Sequence, residues 1–463
     1  MDINSYKNYF LSGIGGSSMS SLAEILALRG KSVCGSDMQT SGTTDALIEK
    51  KIGVFIGQKA ENIDNAKPDV IVKTDAVSDD NPEIVEAKKL GIPVYRRAEL
   101  LGALLDGYDR TVGVAGTHGK TTTTSMITSI FLDSGKDFSS IIGGHIKRLN
   151  AGYIIGKTND YCVFESCEFR ESFLHFRSDV SVVLNIAEDH MEYFKTKENL
   201  INSFKKYLKN IKPGGTLVYN AEDEASLQMV DGYNGNKVSF GIEKGDFHAA
   251  NITQGKGLYS FDILYKNDVL GRVKLAICGF HNIKNALAAA AACKVLNLDS
   301  EAIIKGLCNY TGAERRFEYH CTVNGAVIAD DYGHHPDAYK VTFDSAREMG
   351  FKRIIAIHQP HTFSRTKMLM DDFVDVLKTV DHVLVTPIYP ARETNDGYNI
   401  YAEDVVKRLP NAEYCPSFDA VADRVFEMAQ DGDLFITLGC GDIYKAAKLI
   451  AKREAVRQKD TNI

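Results

Sequence analysis

Residues 111–124 read TVGVAGTHGKTTTT. A short apolar run enters a glycine turn, and Lys120 with four threonines then opens a stretch that continues as SMITSIFL. Glycines let backbone N–H groups close around phosphate oxygens, a helix start adds positive dipole, and a lysine there supplies a mobile positive charge. The hydroxyl that follows, Thr121, is placed to reach a phosphate-bound Mg2+. The strict form GxxxxGK[ST] is not met, because Val114 stands where its first glycine would be. What remains is Gly116-x-x-Gly119-Lys120-Thr121 in a strand-to-helix context. β-Branched residues are poor helix formers, so the threonine run is easier to explain if Thr121 and Thr122 face a ligand.

A second glycine turn lies in NYFLSGIGGSSMS, residues 8–20. Gly13 and Gly15 fit a strand–turn–helix cradle, but Ser18 occupies the third glycine position of GxGxxG. Asp37 ends the next strand candidate about twenty residues on, where a dinucleotide site carries its ribose-binding acid. On these residues alone the loop holds either a nicotinamide dinucleotide or another diphosphate.

Around these two loops the chain alternates short apolar runs with helical patterns. YFLSG, KSVCGSD, DVIVKTDAV and IPVYRR read as strands, and residues 19–28, 44–51 and 82–90 as helices. That rhythm is a parallel sheet with helical crossovers. DYCVFES, VSVVLNI and GGTLVYN supply further strands, residues 234–277 an antiparallel patch, and HNIKNALAAAAACKVLNL a strong helix. The pattern restarts near YTGAERRFEYH, with AVIADDYG, RIIAIHQ, HVLVTPIY and DLFITLGCG as strands. At 463 residues two or three domains are expected, and three is the count this alternation supports.

With 54 basic against 61 acidic residues, the net charge of −7 excludes a general nucleic-acid grip. The nine cysteines are scattered without a CxxC, which reads as small buried residues in a reducing compartment. No stretch has the length and apolarity of a membrane span, and the N-terminus lacks the basic-then-apolar pattern of a secretion signal. A cytoplasmic protein is expected, without stable membrane association and with a monomer or homodimer as its assembly.

Carboxylates suit Mg2+, and VFESCEF offers Glu165 and Glu168 while VLNIAEDHMEYF offers Asn185, Glu188, Asp189 and His190. Asn282 and Asn285 stand i and i+3 at the start of the alanine-rich helix, where helix capping or an adenine edge would each account for them. His-His at 334–335 invites a zinc reading, but no third and fourth ligand follows at zinc spacing.

In order along the chain, GIGG…GSD, GTHGKTTTT, ES-x-E-x-x-x-SF, NI-x-x-DH, G-x-HN-x-x-NALAA, RRFE, DDYGHHP, QPH-x-F-S-RT and GCGDI resemble the Mur ligases over nearly the whole length. The resemblance implies an α/β three-domain architecture. A Rossmann-like domain over 1–107 would take a UDP-sugar, a central P-loop ATPase-like domain over 108–314 would bind ATP, and a Rossmann-like domain over 315–463 would contact the amino acid and ATP. Within the family the match is with members that join L-alanine to UDP-N-acetylmuramate through an acyl phosphate, with ATP and Mg2+, in peptidoglycan synthesis. By the same resemblance Lys120, Glu168, His190, Arg316 and His335 are catalytic, and Thr121, Glu168 and His190 hold metal. Gly116, Thr117, Gly119, Lys120, Thr121, Thr122, His281, Asn282, Asn285, Arg315 and Asp331 meet ATP. Gly13, Gly15, Gly16, Ser17, Ser18 and Asp37 cradle the UDP-sugar, so the opening loop becomes a diphosphate cradle without a nicotinamide. His334, His361, Arg365 and Arg392 position the amino acid and substrate. Two departures stand out: Cys167 where the family usually has an acid, and Gln58 where it commonly has a histidine.

Overall fold

The apolar runs flanking the first glycine loop form a five-stranded sheet in which every adjacent pair is parallel. Its strands are β1 (Asn8–Ser12), β2 (Ser32–Asp37), β3 (Gly53–Ile56), β4 (Val70–Lys73) and β5 (Val94–Arg96), in the order β3-β2-β1-β4-β5. The order reverses beside β1, and ligands of open α/β sheets bind at such a switch point, outside the carboxyl ends of the strands. The glycine loop leaves β1 there. The structure is a computed structural model describing residues 1–149, 151–391 and 393–460.

Three helices of this region match the sequence reading within two residues: Ser17–Leu28, Gly42–Glu49 and Pro82–Lys89. Their starts are written in the sequence. Ser41 and Thr44 form a reciprocal capping box, and Asn81 caps a helix that opens on Pro82. The strand β3 was not expected, because GVFI is a short edge strand without buried residues.

The second sheet has ten strands: β6 (Arg110–Ala115), β7 (Ser139–Ile146), β8 (Ala151–Ile154), β9 (Tyr161–Glu165), β10 (Ser178–Val183), β11 (Ile211–Asn220), β12 (Asn236–Phe240), β13 (Phe247–Gly255), β14 (Leu258–Tyr265) and β15 (Asp268–Cys278). Their order is β15-β14-β13-β12-β11-β10-β6-β9-β7-β8, with β6 parallel to both neighbours. Two-residue connections join β13 to β14 and β14 to β15, which makes this part of the expected antiparallel patch a meander, whereas β12, also expected in the patch, is parallel to β11 and β13. The pair β7–β8 was missed because SSIIGGHI carries two glycines in its middle.

Helix Lys120–Ser134 follows β6 and is clamped from behind. A Cβ at Gly306 would run into the Ile130 backbone, so helix Ser300–Cys308 packs at backbone distance, and Ser129 donates to the Gly306 carbonyl at 2.8 Å. The threonine run is divided by this packing: Thr123 and Thr124 are fully buried, while Thr121 and Thr122 are half-buried at the loop. Helix His281–Val295 is apolar all round and buried from Ala286 to Cys293.

The third sheet holds β16 (Glu318–Val323), β17 (Ala326–Asp331), β18 (Arg353–His358), β19 (His382–Val385), β20 (Ala412–Tyr414) and β21 (Asp433–Leu438) in the order β16-β17-β21-β18-β19-β20. All adjacent pairs are parallel except β16–β17. The two edge strands β16 and β20 bury one residue between them and were not anticipated.

Each of the three expected spans thus contains one sheet. By compactness the chain divides into two units, one of residues 1–251, 261–273 and 283–310, the other of 252–260, 274–282 and 311–463. All nine cysteines are free; Cys162, Cys293 and Cys415 are buried as the sequence reading expected, and the other six are half-buried. Among the described residues no helix is long and apolar enough to cross a membrane.

Candidate active site

In the first unit the loop after β6 is stitched to the chain after β10. Leu184 N–H donates to the Ala115 carbonyl at 3.0 Å and Thr117 N–H to the Asn185 carbonyl at 3.0 Å. His118 N–H donates to Asn185 Oδ1 at 2.9 Å, and Asn185 Nδ2 returns a bond to the His118 carbonyl at 3.0 Å. Thr117 Oγ1 donates to the Ala187 carbonyl and accepts from its N–H, at 3.1 and 2.9 Å. Asn185, read from the sequence as a polar residue at a strand end, is the clamp of the loop.

Gly116 and Gly119 have φ of 135° and 86°, where a side chain is strained. A Cβ on Gly119 would also lie 2.6 Å from Asn285 Oδ1, so Asn285 rests against the loop as glycine permits. Asn282 turns its amide to the Cys278 carbonyl at 2.6 Å.

Lys120 Nζ donates to the Gly116 and Thr117 carbonyls at 2.5 and 3.0 Å and to Glu168 Oε1 at 3.1 Å. Glu168 Oε2 is 3.0 Å from the same nitrogen but off the hydrogen-bond direction, and it has no hydrogen-bond partner. The two side chains are 15% and 2% exposed. Burial disfavours the Lys120 ammonium, yet attraction to Glu168 outweighs it and holds the pKa above the ordinary lysine value. An orphaned carboxylate oxygen beside a phosphate loop suits a hard divalent cation.

His190 stands at φ 55°, its ring 4.7 Å from that of Phe169, the residue after Glu168. Arg170 and Glu171 also have positive φ (49° and 56°). The turn is held by Glu171, which accepts from Ser203, Lys206 and Tyr193 at 2.9 to 3.2 Å. Cys167 is half-buried, and desolvation raises its thiol to about 11 and leaves it protonated at neutral pH. Glu165 accepts from Gly143 N–H at 2.8 Å, while Thr121 lies against Gly144.

At the first glycine loop Gly13 has φ 83°, and its N–H and that of Ile14 both donate to the Ser36 carbonyl, at 2.8 and 2.9 Å. Gly15 N–H donates to Asp37 Oδ2 at 2.9 Å, and Met38 N–H to Asp37 Oδ1 at 2.8 Å. Asp37 therefore fixes the loop, and both its oxygens are occupied by backbone. Gly16 is the N-cap of helix Ser17–Leu28, and Ser18 Oγ accepts from Arg97 at 3.2 Å. Beneath the loop a fully buried Glu83 accepts from Ser12, Ser36 and Asn62 at 2.6 to 2.7 Å. Gln58, the departure noted above, joins this network through Ser12 and Asn81.

In the second unit Arg315 (φ 58°) is committed to its own fold. Nε donates to Asp330 at 3.0 Å and the two Nη atoms to the Gly441 and Gly439 carbonyls at 3.2 and 2.5 Å. Arg316 lies over the Tyr332 ring at 5.3 Å. From there rings run in sequence: Tyr332 to His334 at 5.6 Å, His334 to His361 at 6.4 Å, His361 stacked on Tyr389 at 5.5 Å. Arg365 donates to the His361 carbonyl at 3.4 Å. Burial and then the Arg365 charge push the His361 pKa below the usual histidine value, so the ring is neutral at pH 7. Asp331 accepts from Gly333 N–H at 2.7 Å and Phe317 N–H at 2.8 Å. Its carboxyl is raised by burial against the pull of Arg316. His335 caps helix Pro336–Met349. Glu318, His320 and Asp330 bring donor atoms within 4.8 Å, a grouping the sequence reading did not list, but the Arg315 guanidinium already occupies Asp330. His281 begins its helix. Arg392 and the side chain of Ser17 lie outside the described residues. Tyr332 and Tyr389 were missed; tyrosines in loops carry no spacing signal.

Residues 9–109, 114–293 and 315–441 match, in turn, the Mur ligase family catalytic domain, the Mur ligase middle domain and the Mur ligase glutamate ligase domain. A UDP-N-acetylmuramate–L-alanine ligase of Acetivibrio thermocellus is 42% identical over 458 residues, covering 98% of this chain and 97% of that protein. One of the same name from Caldicellulosiruptor saccharolyticus is 41% identical over 455 residues, with 97% and 99% covered. The crystal structure of UDP-N-acetylmuramate–alanine ligase MurC from Thermotoga maritima superposes with a TM-score of 0.82 at 27% identity, over 97% of this chain and 99% of that one.

Proposed function

Because the chain belongs to the Mur ligase family, we propose that it joins L-alanine to the lactyl carboxylate of UDP-N-acetylmuramate at the expense of ATP. The observation that carries this reading is the buried Lys120–Glu168 pair under a glycine loop, in a chain whose full-length relatives bear that ligase name. The products are ADP, phosphate and UDP-N-acetylmuramoyl-L-alanine, a precursor of peptidoglycan made in the cytoplasm.

The chemistry follows from the substrates. A carboxylate is unreactive toward an amine until one oxygen carries a leaving group. Its oxygen attacks the γ-phosphorus, the bond to ADP breaks, and an acyl phosphate forms. The amine of alanine then attacks the acyl carbon, loses its proton, and phosphate departs. Carboxylate and triphosphate repel, so positive charge fixed in advance is the largest contribution the protein can make. We assign Lys120 to the β- and γ-phosphates, the loop N–H groups of 116–122 to the phosphate oxygens and Asn285 with His281 and Asn282 to the base. In the second unit Arg316 and His335 serve the phosphoryl end of ATP, with Arg315 and Asp331 holding the backbone behind them, and Arg365, His361 and His334 serve the amino acid. With His361 neutral, Arg365 is the member of this pair that presents positive charge to an amino-acid carboxylate.

Mg2+ would be held by Thr121, Glu168 and His190, and it supplies charge neutralisation for the triphosphate when bound. Until then Lys120 and Glu168 neutralise each other. Water must be kept from an acyl phosphate.

The test is ADP release and product mass with UDP-N-acetylmuramate, ATP and Mg2+, adding L-alanine, glycine, L-serine or a preformed tripeptide. Turnover is expected with L-alanine. Release with the tripeptide and none with alanine would overturn the assignment.

A further inference from the structure

Two adjacent arginines open helix Arg97–Leu105, and the structure treats them differently. Arg96 is neutralised: Nε and Nη2 donate to Asp75 Oδ1 at 3.0 and 2.7 Å. Arg97 is half-buried, and among the described residues it meets no carboxylate. Its one hydrogen bond goes to the Ser18 hydroxyl at 3.2 Å, on the first turn of helix Ser17–Leu28. A half-buried guanidinium with a single neutral partner is costly unless an anion completes it.

Its position says which anion. On one side is the first glycine loop, where Gly16 caps a twelve-residue helix with no side chain to satisfy its leading N–H groups. On the other side is the segment carrying Glu168. A Cβ at Gly102 would collide with the His175 carbonyl, so the helix that starts at Arg97 lies backbone to backbone on residues 169–175. The Arg97 charge also bears on the Cys167 thiol, next to Glu168. The helix that Arg97 opens thus reaches both the diphosphate cradle, through Ser18, and the segment that follows Glu168, through Gly102.

We infer that Arg97 is a positioning residue for the UDP-sugar: its planar fork binds the diphosphate beside the helix start and orients the sugar's lactyl arm toward Lys120. This rests on the function proposed above and adds to it a residue that neither motif contains. An arginine fork matches phosphate oxygens two at a time, and the helix N-terminus with Ser18 supplies the remaining donors.

The test uses Arg97→Met, which keeps the stem and removes the charge, with binding of UDP, UDP-N-acetylglucosamine and UDP-N-acetylmuramate measured by calorimetry. Loss of one charge-assisted fork is expected to weaken all three by about 10–100-fold, with the KM for ATP unchanged. Equal weakening of UDP and UDP-N-acetylglucosamine, which lack the lactyl carboxylate, is the result that identifies the diphosphate. Weakening of UDP-N-acetylmuramate alone would transfer the guanidinium to the carboxylate and overturn the proposal. Unchanged binding of all three would reduce Arg97 to a structural tie. Should Arg97→Met not fold, Arg97→Lys, which keeps charge without the fork, carries the same comparison. Wild-type protein that binds no UDP compound would sink the functional reading itself, not this residue.

Discussion

Replacing Lys120 by Met should damage the fold and the reaction separately, and a second substitution should repair only the first. Lys120 Nζ sits 3.0 and 3.1 Å from the two Glu168 oxygens, and the side chains are 15% and 2% exposed. Removing the ammonium leaves a buried carboxylate without its cation, and breaking such a pair from one side costs about 3–5 kcal/mol. For a domain of this size each kcal/mol moves the melting temperature by about 2–4 °C, so Lys120→Met should melt roughly 6–20 °C below wild type. Glu168→Gln in the same chain removes the stranded charge and should restore most of that loss. The coupling read from the double-mutant cycle should be about 2–3 kcal/mol. Turnover should behave otherwise: at least about a hundredfold lower in Lys120→Met, as for removal of one transition-state electrostatic group, and no better in the double variant. The cycle is to be run near pH 7.5. Because the folded-state pKa of Lys120 lies above its unfolded value, the pair's stability is fully present below about pH 10 and lost only as pH rises through the folded value. A melting temperature within about 1 °C of wild type, or no recovery with Glu168→Gln, would refute the stability argument; near-normal turnover would refute the assigned role.

Gly119→Ala places a Cβ at φ 86° and 2.6 Å from Asn285 Oδ1. The left-handed backbone alone costs about 1–2 kcal/mol, and the KM for ATP should rise at least about tenfold; an unchanged KM would show that the loop does not need its glycine. His358 is 1% exposed, beside the Tyr339 hydroxyl at 2.7 Å, and burial pushes its pKa down to about 3. Unfolded chains take up that proton below about pH 6.5 while the folded one does not, so stability should fall with decreasing pH from 6.5 toward 3, with a limiting slope of about 1.4 kcal/mol per pH unit from this group. Urea unfolding of His358→Asn across that window should be flatter by one proton, and an identical slope would contradict the burial argument.

How much of this was written in the sequence depends on whether a residue's job is local. β1, β6, β10, β17 and β18 are continuous apolar runs that end at polar loops, and such runs announce themselves. The edge strands β3, β16 and β20 are short and bury almost nothing, so no inside–outside pattern marks them and only pairing defines them. The same divide runs through the site. Lys120 and its glycines are fixed by a few consecutive residues, and Glu168 by its place after a strand. Arg97 reads as half of an ordinary charged pair at a helix start, because its distinguishing fact is the partner Asp75 that its neighbour has and it lacks.

Asp37 shows why the first loop could be taken for a nicotinamide site. An acid at the end of the second strand binds a ribose when its oxygens are free; here both accept backbone N–H groups, of Gly15 and Met38. Asp331, at the end of β17, is used in the same way by Gly333 and Phe317. Both sheets therefore end in a carboxylate turned inward on its own loop. That arrangement follows from the charge of the ligands proposed for them. A diphosphate, a triphosphate and two carboxylates leave no place for a free acid at a strand end, unless backbone donors or a cation have already claimed it. Glu168 faces the Lys120 ammonium and no backbone donor, and its second oxygen accepts no hydrogen bond; it is also the acid for which a divalent cation is proposed. The electrostatic demand of an all-anionic substrate set thus predicts which strand-end acids are structural and which is functional, a distinction that spacing along the chain does not carry.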